Sequence, residues 1–170
     1  HDVTDLRRAK EEIENLAFYD ALTGLANRRL LLDRLGRAIV QAQRTGKVGA
    51  LLFLDLDHFK SLNDKYGHDA GDHALKEVAS VVKRNMRSED MFARIGGEEF
   101  AIIVTGSHPD NNLAIFDNIR AVIESQVIEY GGEIIKLTAS IGFSSLSHQD
   151  SDLSAILKRA DSALNAAKRK

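Results

Sequence analysis

The run VGALLFL at residues 48–54, apolar without a break and then acidic at Asp55 and Asp57, constrains this chain more than any other feature. Successive strand side chains point to opposite faces, so a half-exposed strand alternates apolar and polar residues, whereas an unbroken run fits a strand covered on both faces. The run therefore reads as a central strand. Burying it takes a real core, and 170 residues at 44% hydrophobic content are enough for one domain.

A second stretch, RIGGEEF at residues 94–100, separates the apolar segments MFARI and EEFAIIV by Gly96 and Gly97. Two glycines between apolar runs signal a hairpin, because glycine tolerates the positive φ of tight turns. Around these strands, helices are expected over NRRLLLDRLGRAIVQAQRTG, ended by Gly46, and over HDAGDHALKEVASVVKRNMR. A third helix is expected from Asp110 through Ile128, one or two strands in EIIKLTASIGFS, and a closing helix in SDLSAILKRADSALNAAKRK with Leu153, Ile156, Leu157, Ala160 and Leu164 as its core stripe. The order strand, helix, hairpin, helix, strand, helix points to an α/β chain of the α+β kind. The expected core is ferredoxin-like and palm-type, with a mixed sheet, a hairpin carrying GGEEF, and helices packed on one face.

Charge excludes some functions. Lys plus Arg total 23 against 25 Asp plus Glu, a formal charge of -2, so no bulk attraction for nucleic acid or anionic membrane is expected and any phosphate binding must be local. Without a basic groove, a template-directed polymerase is disfavoured. The absence of cysteine removes disulfides, thiolate nucleophiles and cysteine zinc sites. No apolar run reaches membrane-spanning length, so no direct membrane contact is expected and the location reads as cytoplasmic, with any anchor of a larger protein lying N-terminal to this stretch.

Residues 1–20 begin inside a charged helical pattern without an initiator Met, and read as a signalling or linker helix cut from a larger protein, ahead of a catalytic domain over residues 21–170. Leu6, Ala9, Ile13 and Leu16 follow the a/d rhythm of a short coiled coil, and equally suit an amphipathic helix folded onto its own domain.

The chemistry gathers at strand ends. Asp55 and Asp57 close the apolar strand, and Glu98 and Glu99 follow the glycine turn. If the hairpin lies beside the strand, carboxylates from both come close, and their repulsion is relieved by a cation between them. Oxygen ligands point to Mg²⁺, which takes one or two carboxylates and completes its shell with water and substrate phosphates. Glu98 and Glu99 point to opposite faces in a regular strand, so one of them carries most of the metal role. Asp57 has a ready explanation as N-cap of the helix HFKSLNDK, which ranks Asp55 above it. Asn63, His68 and Asp72 lie in turn-rich sequence just beyond. Asn offers a donor and an acceptor, and a carboxylate can take paired N–H groups, the pattern of a guanine edge.

In this order, DALTGLANRR, DLDHFKSLNDKYGHDAGDHAL, RIGGEEF, LTASIGFS and LKRADSALNAAK resemble the motifs of the GGDEF, or diguanylate cyclase, family over nearly everything after residue 20. The resemblance implies condensation of two GTP into cyclic di-GMP on a fold related to adenylyl cyclase and polymerase palms. It implies that Asp55 and Glu98 hold Mg²⁺, with Mn²⁺ as a substitute, assisted by the Leu56 carbonyl, and that Glu98 is also a candidate base. It further implies that Asn63 and Asp72 read guanine, with His68 in the same motif. By the same resemblance Phe59 and Lys60 would contact the triphosphate through their backbone and Lys168 through its side chain, while Gly96 and Gly97 would let backbone approach the phosphates. A homodimer is implied, because each domain holds one GTP, as is an upstream sensor, since HDVTDLRRAKEEIE resembles the seam after a PAS-type domain. Arg87 and Asp90, in RSED, match an inhibitory site for the product. Three positions depart from the family pattern: Asn118 replaces a second inhibitory arginine, with Arg120 two residues on, His58 replaces an aromatic, and Asn165 a tyrosine. The alternative is a silent module that binds GTP or cyclic di-GMP, and intact Asp55, Asn63, Asp72 and GGEEF favour the enzyme.

Overall fold

In the computed structural model, which describes residues 3–47, 49–105, 109–146 and 152–169, strand β1 (Gly49–Leu56) is buried along its whole length. Val48, at the head of the apolar run, lies outside the described residues, as do Ser151 and Lys170 at the two ends of the closing helical segment. β1 is central, flanked by β3 (Glu99–Val104) and by β6 (Ala139–Leu146), with β2 (Met91–Gly96) outside β3. This order, β2-β3-β1-β6, is the ferredoxin-like arrangement expected from the sequence. The expected mixed sheet is corrected in one respect: every pairing among these four strands is antiparallel, and the parallel element is the bridge Ala26↔Ala93 beside β2.

Period two divides β1 between two cores. Ala50, Leu52, Leu54 and Leu56 meet α4 (His68–Arg84) and α5 (Pro109–Ser125), through residues such as Leu75, Val78, Ile119 and Ile123. Leu51 and Phe53 meet Leu31 and Leu35 of α2 (Arg28–Thr45) and Ile156 and Ala160 of α6 (Leu153–Lys168) on the opposite side. The expectation of helices on one face is thus overturned: both faces are covered, as the unbroken apolar run of β1 requires.

One helical boundary also differs. The helix expected to reach Ile128 ends at Ser125, and Ile128 opens β4 (Ile128–Tyr130), which pairs with β5 (Glu133–Ile135) across Gly131 and Gly132. A short helix α3 (Phe59–Tyr66) fills the turn between β1 and α4. At β6, Gly142 allows backbone to meet backbone, since a Cβ there would stand 2.0 Å from the Leu164 amide nitrogen. That contact presses α6 onto the sheet and carries its last turn, with Lys168, to the acidic end of β1.

Helix α1 (Val3–Phe18) buries no residue. Leu6, Ile13 and Leu16 are 73%, 67% and 71% exposed, so the stripe does not fold back onto its own domain. No helix among the described residues is long and apolar enough to cross a membrane.

Candidate active site

Asp55 is 2% exposed at the end of β1, opposite Glu99 of β3 and Ser140 of β6. Its Oδ2 accepts a hydrogen bond from the Lys168 ammonium, whereas its Oδ1 is buried with no hydrogen-bond partner. Burial pushes the Asp55 carboxyl above the ordinary carboxylate range, Lys168 opposes that, and the charges of Glu98 and Asp57 add to it. Lys168 is raised in turn, chiefly by its hydrogen bond to Asp55. A buried carboxylate with an unsatisfied oxygen is costly, and a cation offsets that cost.

The hairpin supplies the second acid. Gly96 pairs with Glu99, leaving Gly97 and Glu98 as a two-residue loop with φ +28° at Gly97. The Leu56 N–H donates to the Glu98 carbonyl at 3.3 Å, which ties the turn to the end of β1. Glu99 is also pushed upward, by burial first and then by Asp55. A Cβ built at Gly96 or Gly97 would meet nothing within 4 Å, so open space adjoins the turn. Among the described residues no three His, Asp or Glu side chains gather into a ready-made metal cluster. The donor set is two carboxylates, which suits a hard cation that takes its remaining ligands from water and phosphate.

Asp57 is not the N-cap of α3. Its carboxylate accepts from Thr138 Oγ1 and Ser140 Oγ, each at 2.7 Å, and its N–H donates to the Thr138 carbonyl at 2.9 Å. His58 holds the N-cap position in the left-handed region, with φ 56°, and its side chain caps nothing. The first turn of α3 therefore begins at buried Phe59 and exposed Lys60 with no side-chain cap, an arrangement that favours an anion.

Behind α3, Asn63 Oδ1 is buried without a partner and lies over Gly71. A Cβ at Gly71 would come within 1.8 Å of that oxygen, so glycine is what allows the two helices to close around it. His68 and Asp72 lie exposed on the first turns of α4, Asp72 next to Gly71. The expected nucleotide-binding residues thus share one end of the sheet.

Sequence reasoning missed the brace beneath the turn. Arg94 donates from Nη1 to Asp20 at 3.0 Å and from Nε and Nη2 to the Gly97 carbonyl at 3.0 and 2.9 Å. Asp20 also accepts from the N–H and hydroxyl of Thr23, at 2.9 and 2.7 Å. The Arg94 N–H donates to the Ala26 carbonyl, which holds the segment after α1 against β2. The available signal was DALT, an acid followed three residues later by a threonine.

Arg87 and Asp90 lie elsewhere, between α4 and β2. Arg87 donates from Nε and Nη2 to the two Asp90 oxygens at 3.2 and 2.9 Å, and from Nη2 to the Thr105 carbonyl at the far end of β3. Asn118 is exposed on α5, and the Arg120 guanidinium lies 5.3 Å over the Phe116 ring.

Known proteins resemble this chain in both sequence and fold. The family model described as "Diguanylate cyclase, GGDEF domain" matches residues 17–170. MucR of Pseudomonas aeruginosa, a bifunctional diguanylate cyclase/cyclic di-GMP phosphodiesterase, is 39% identical over 165 residues, covering 97% of this chain and 24% of that protein. The response regulator PleD of Caulobacter vibrioides is 36% identical over 165 residues, covering 96% of this chain and 36% of that protein. The chain thus spans about a quarter to a third of these relatives. Among solved structures, the coiled coil and GGDEF domain of DgcB from Caulobacter crescentus, in complex with c-di-GMP, superposes with a TM-score of 0.89 at 34% identity, over 98% of this chain and 88% of that one.

Proposed function

The chain belongs to the GGDEF domain family of diguanylate cyclases, and from that premise we propose that it condenses two GTP into cyclic di-GMP with release of pyrophosphate, as the output domain of a larger signalling protein. The observation that carries this reading is the unpartnered, buried Oδ1 of Asp55 beside the turn that bears Glu98.

Asp55 and Glu98 would hold Mg²⁺, or Mn²⁺ in its place, with the Leu56 carbonyl assisting. When bound, the metal lowers the pKa of the attacking 3′-hydroxyl and neutralises charge on the leaving pyrophosphate. The rest of the work is positioning. The uncapped start of α3 offers the Phe59 and Lys60 N–H groups to phosphate oxygens. Gly96 and Gly97 leave room for phosphate on the turn. Lys168, which lies on the Asp55 carboxylate, would contact the triphosphate through its ammonium group. Asn63 and Asp72 hold the guanine edge, with His68 at the mouth of that site. Glu98 stands where it can also accept the hydroxyl proton.

One chain presents one such half-site, so the product requires two copies facing each other. The exposed stripe of α1 supports a helical pairing that brings them together, in a protein whose sensor lies upstream.

The test is incubation with GTP and Mg²⁺ followed by chromatography of the products. Cyclic di-GMP and pyrophosphate are expected from the parent chain. Glu98→Gln is expected to give less than about a hundredth of the parental rate, in line with losses at electrostatically essential groups. It should keep the parental circular dichroism and lose the rise in melting temperature that Mg²⁺ confers. GTP left unconsumed by the parent at high protein concentration, or full turnover by the variant, refutes the reading.

A further inference from the structure

Asp55 and Asp57 lie two residues apart where β1 runs out, so their side chains leave the same face of the chain. They are held in opposite ways. Asp55 keeps Oδ1 buried without a partner, whereas both oxygens of Asp57 are taken, Oδ2 by the Thr138 hydroxyl and Oδ1 by the Ser140 hydroxyl, each at 2.7 Å. The Asp57 N–H also donates to the Thr138 carbonyl at 2.9 Å, one step beyond Leu56↔Ala139, the last pair of β1 with β6. Asp57 is thus clasped to the start of β6 by its main chain and by its whole carboxylate.

The clasp ends where the chain turns. His58 follows at φ 56° and ψ 30°, the one residue other than glycine in the left-handed region among the described residues, and α3 begins at Phe59. A left-handed residue followed by a right-handed one brings successive N–H groups to face a common concavity, a backbone form that holds anions. A side chain with a Cβ is disfavoured in that region, and persists there only where its surroundings impose it. The His58 side chain makes no capping bond that would do so. Asp57, next to it in the chain and fixed by three hydrogen bonds, has the anchorage to impose the turn.

We propose that Asp57 is a positioning residue for the triphosphate: clasped by Thr138 and Ser140, it fixes the turn at His58 so that the Phe59 and Lys60 N–H groups face the phosphate oxygens, and it takes no metal itself. This rests on the reading of that turn as the seat of GTP phosphate. It also accounts for the unequal treatment of two acids on one face, because a cation arriving at this end of the sheet meets an open oxygen at Asp55 and none at Asp57. Shape and charge can be separated here. An amide at position 57 keeps both side-chain bonds, its oxygen accepting from one hydroxyl and its NH₂ donating to the other, whereas it holds a divalent cation poorly.

The experiment compares Asp57→Asn, Asp57→Ala and Thr138→Ala/Ser140→Ala with the parent, by calorimetric titration with GTP and Mg²⁺ and by initial rates. Asp57→Asn is expected to bind GTP within threefold of the parent. Asp57→Ala is expected to lose at least tenfold in affinity, with KM for GTP rising by the same factor and kcat within threefold, because a grip on phosphate serves substrate and transition state alike. Thr138→Ala/Ser140→Ala, which leaves Asp57 in place, should match Asp57→Ala, and it carries the test if Asp57→Ala does not fold. The rise in melting temperature conferred by Mg²⁺ should survive in Asp57→Asn. Asp57→Asn as weak as Asp57→Ala, or without that rise, makes Asp57 a metal ligand and overturns the proposal, as does undiminished GTP affinity in either alanine variant. Product synthesis is scored separately. A chain whose GTP affinity follows the clasp without making cyclic di-GMP loses only the catalytic reading, and one that makes it without regard to the clasp loses only this inference.

Discussion

Arg94 holds Asp20 and the Gly97 carbonyl at the same time, so one guanidinium ties the segment that follows α1 to the turn that carries Glu98. Both ionic side chains are less than one-fifth exposed, at 17% and 19%. The turn itself is a two-residue loop beside a register shift in β2, held to β1 otherwise by the 3.3 Å hydrogen bond from the Leu56 N–H to the Glu98 carbonyl.

Arg94→Ala is therefore expected to reduce catalysis more than stability. Hydrogen bonds to a charged group contribute about 1.5–3 kcal/mol each at most, and the exposed part of this cluster lowers that, so a loss of about 1–3 kcal/mol is expected. In a domain of this size that is a fall of roughly 2–4 °C in melting temperature per kcal/mol. Turnover should fall at least tenfold, because the turn is displaced from the end of β1. Melting curves and product assays on one preparation decide it, and parental turnover in the variant would show that the turn needs no brace.

The same contact makes a pH prediction. Burial alone would raise the Asp20 carboxyl, but hydrogen bonds from Thr23 and from Arg94 hold it below its ordinary value. The folded value is thus below the unfolded one, so the stabilisation is complete above the unfolded pKa and is lost as the pH falls through the folded one. Asp20→Asn should be less stable than the parent near neutrality, and the gap should close as the pH falls below the ordinary carboxylate range. A gap that stays constant across that range would mean the Asp20 charge contributes nothing.

Gly71→Ala separates the proposed guanine site from the fold. Alanine in a helix is favoured over glycine by about 0.5–1 kcal/mol, but its Cβ meets the Asn63 amide oxygen, the movable end of a side chain. Asn63 can rotate away at small cost, and what it then loses is its aim. GTP affinity should drop at least tenfold while the melting temperature shifts by no more than a few degrees. Calorimetry showing undiminished GTP binding would remove Asn63 from base recognition.

The sequence made the sheet legible because its signals are local. The apolar run of β1 and the paired glycines after β2 each describe a structure within a few residues of themselves. The cover on both faces was also written in that run, yet the helix order alone suggested one face. What escaped was long-range. Asp57 stands before a helix as an N-cap would, but its partners are hydroxyls 81 and 83 residues away. Asp20 and Arg94 are 74 residues apart. Strand β4 has only three residues, and Ile128 continued the apolar rhythm of α5, so neither length nor period marked the change from helix to strand.

The stripe on α1 leads to the last prediction. A helix of 16 residues that buries none of them is marginal by itself in water, and Leu6, Ile13 and Leu16 lie on it at coiled-coil spacing. If each chain carries half of the reactants, the rate per chain should rise with protein concentration while pairing is weak and level off once pairs dominate. Leu6→Glu/Ile13→Glu should shift that rise to higher concentration by at least tenfold. A strong coiled coil fused in register ahead of residue 5 should remove it, because linkage raises the effective concentration without adding a contact to nucleotide. GTP affinity per chain should stay the same in all three proteins. The measurement is specific activity against enzyme concentration, with mass by light scattering under turnover. A flat profile from a monomeric chain that still makes cyclic di-GMP would falsify the two-copy mechanism, because a single half-site cannot present two GTP molecules to each other.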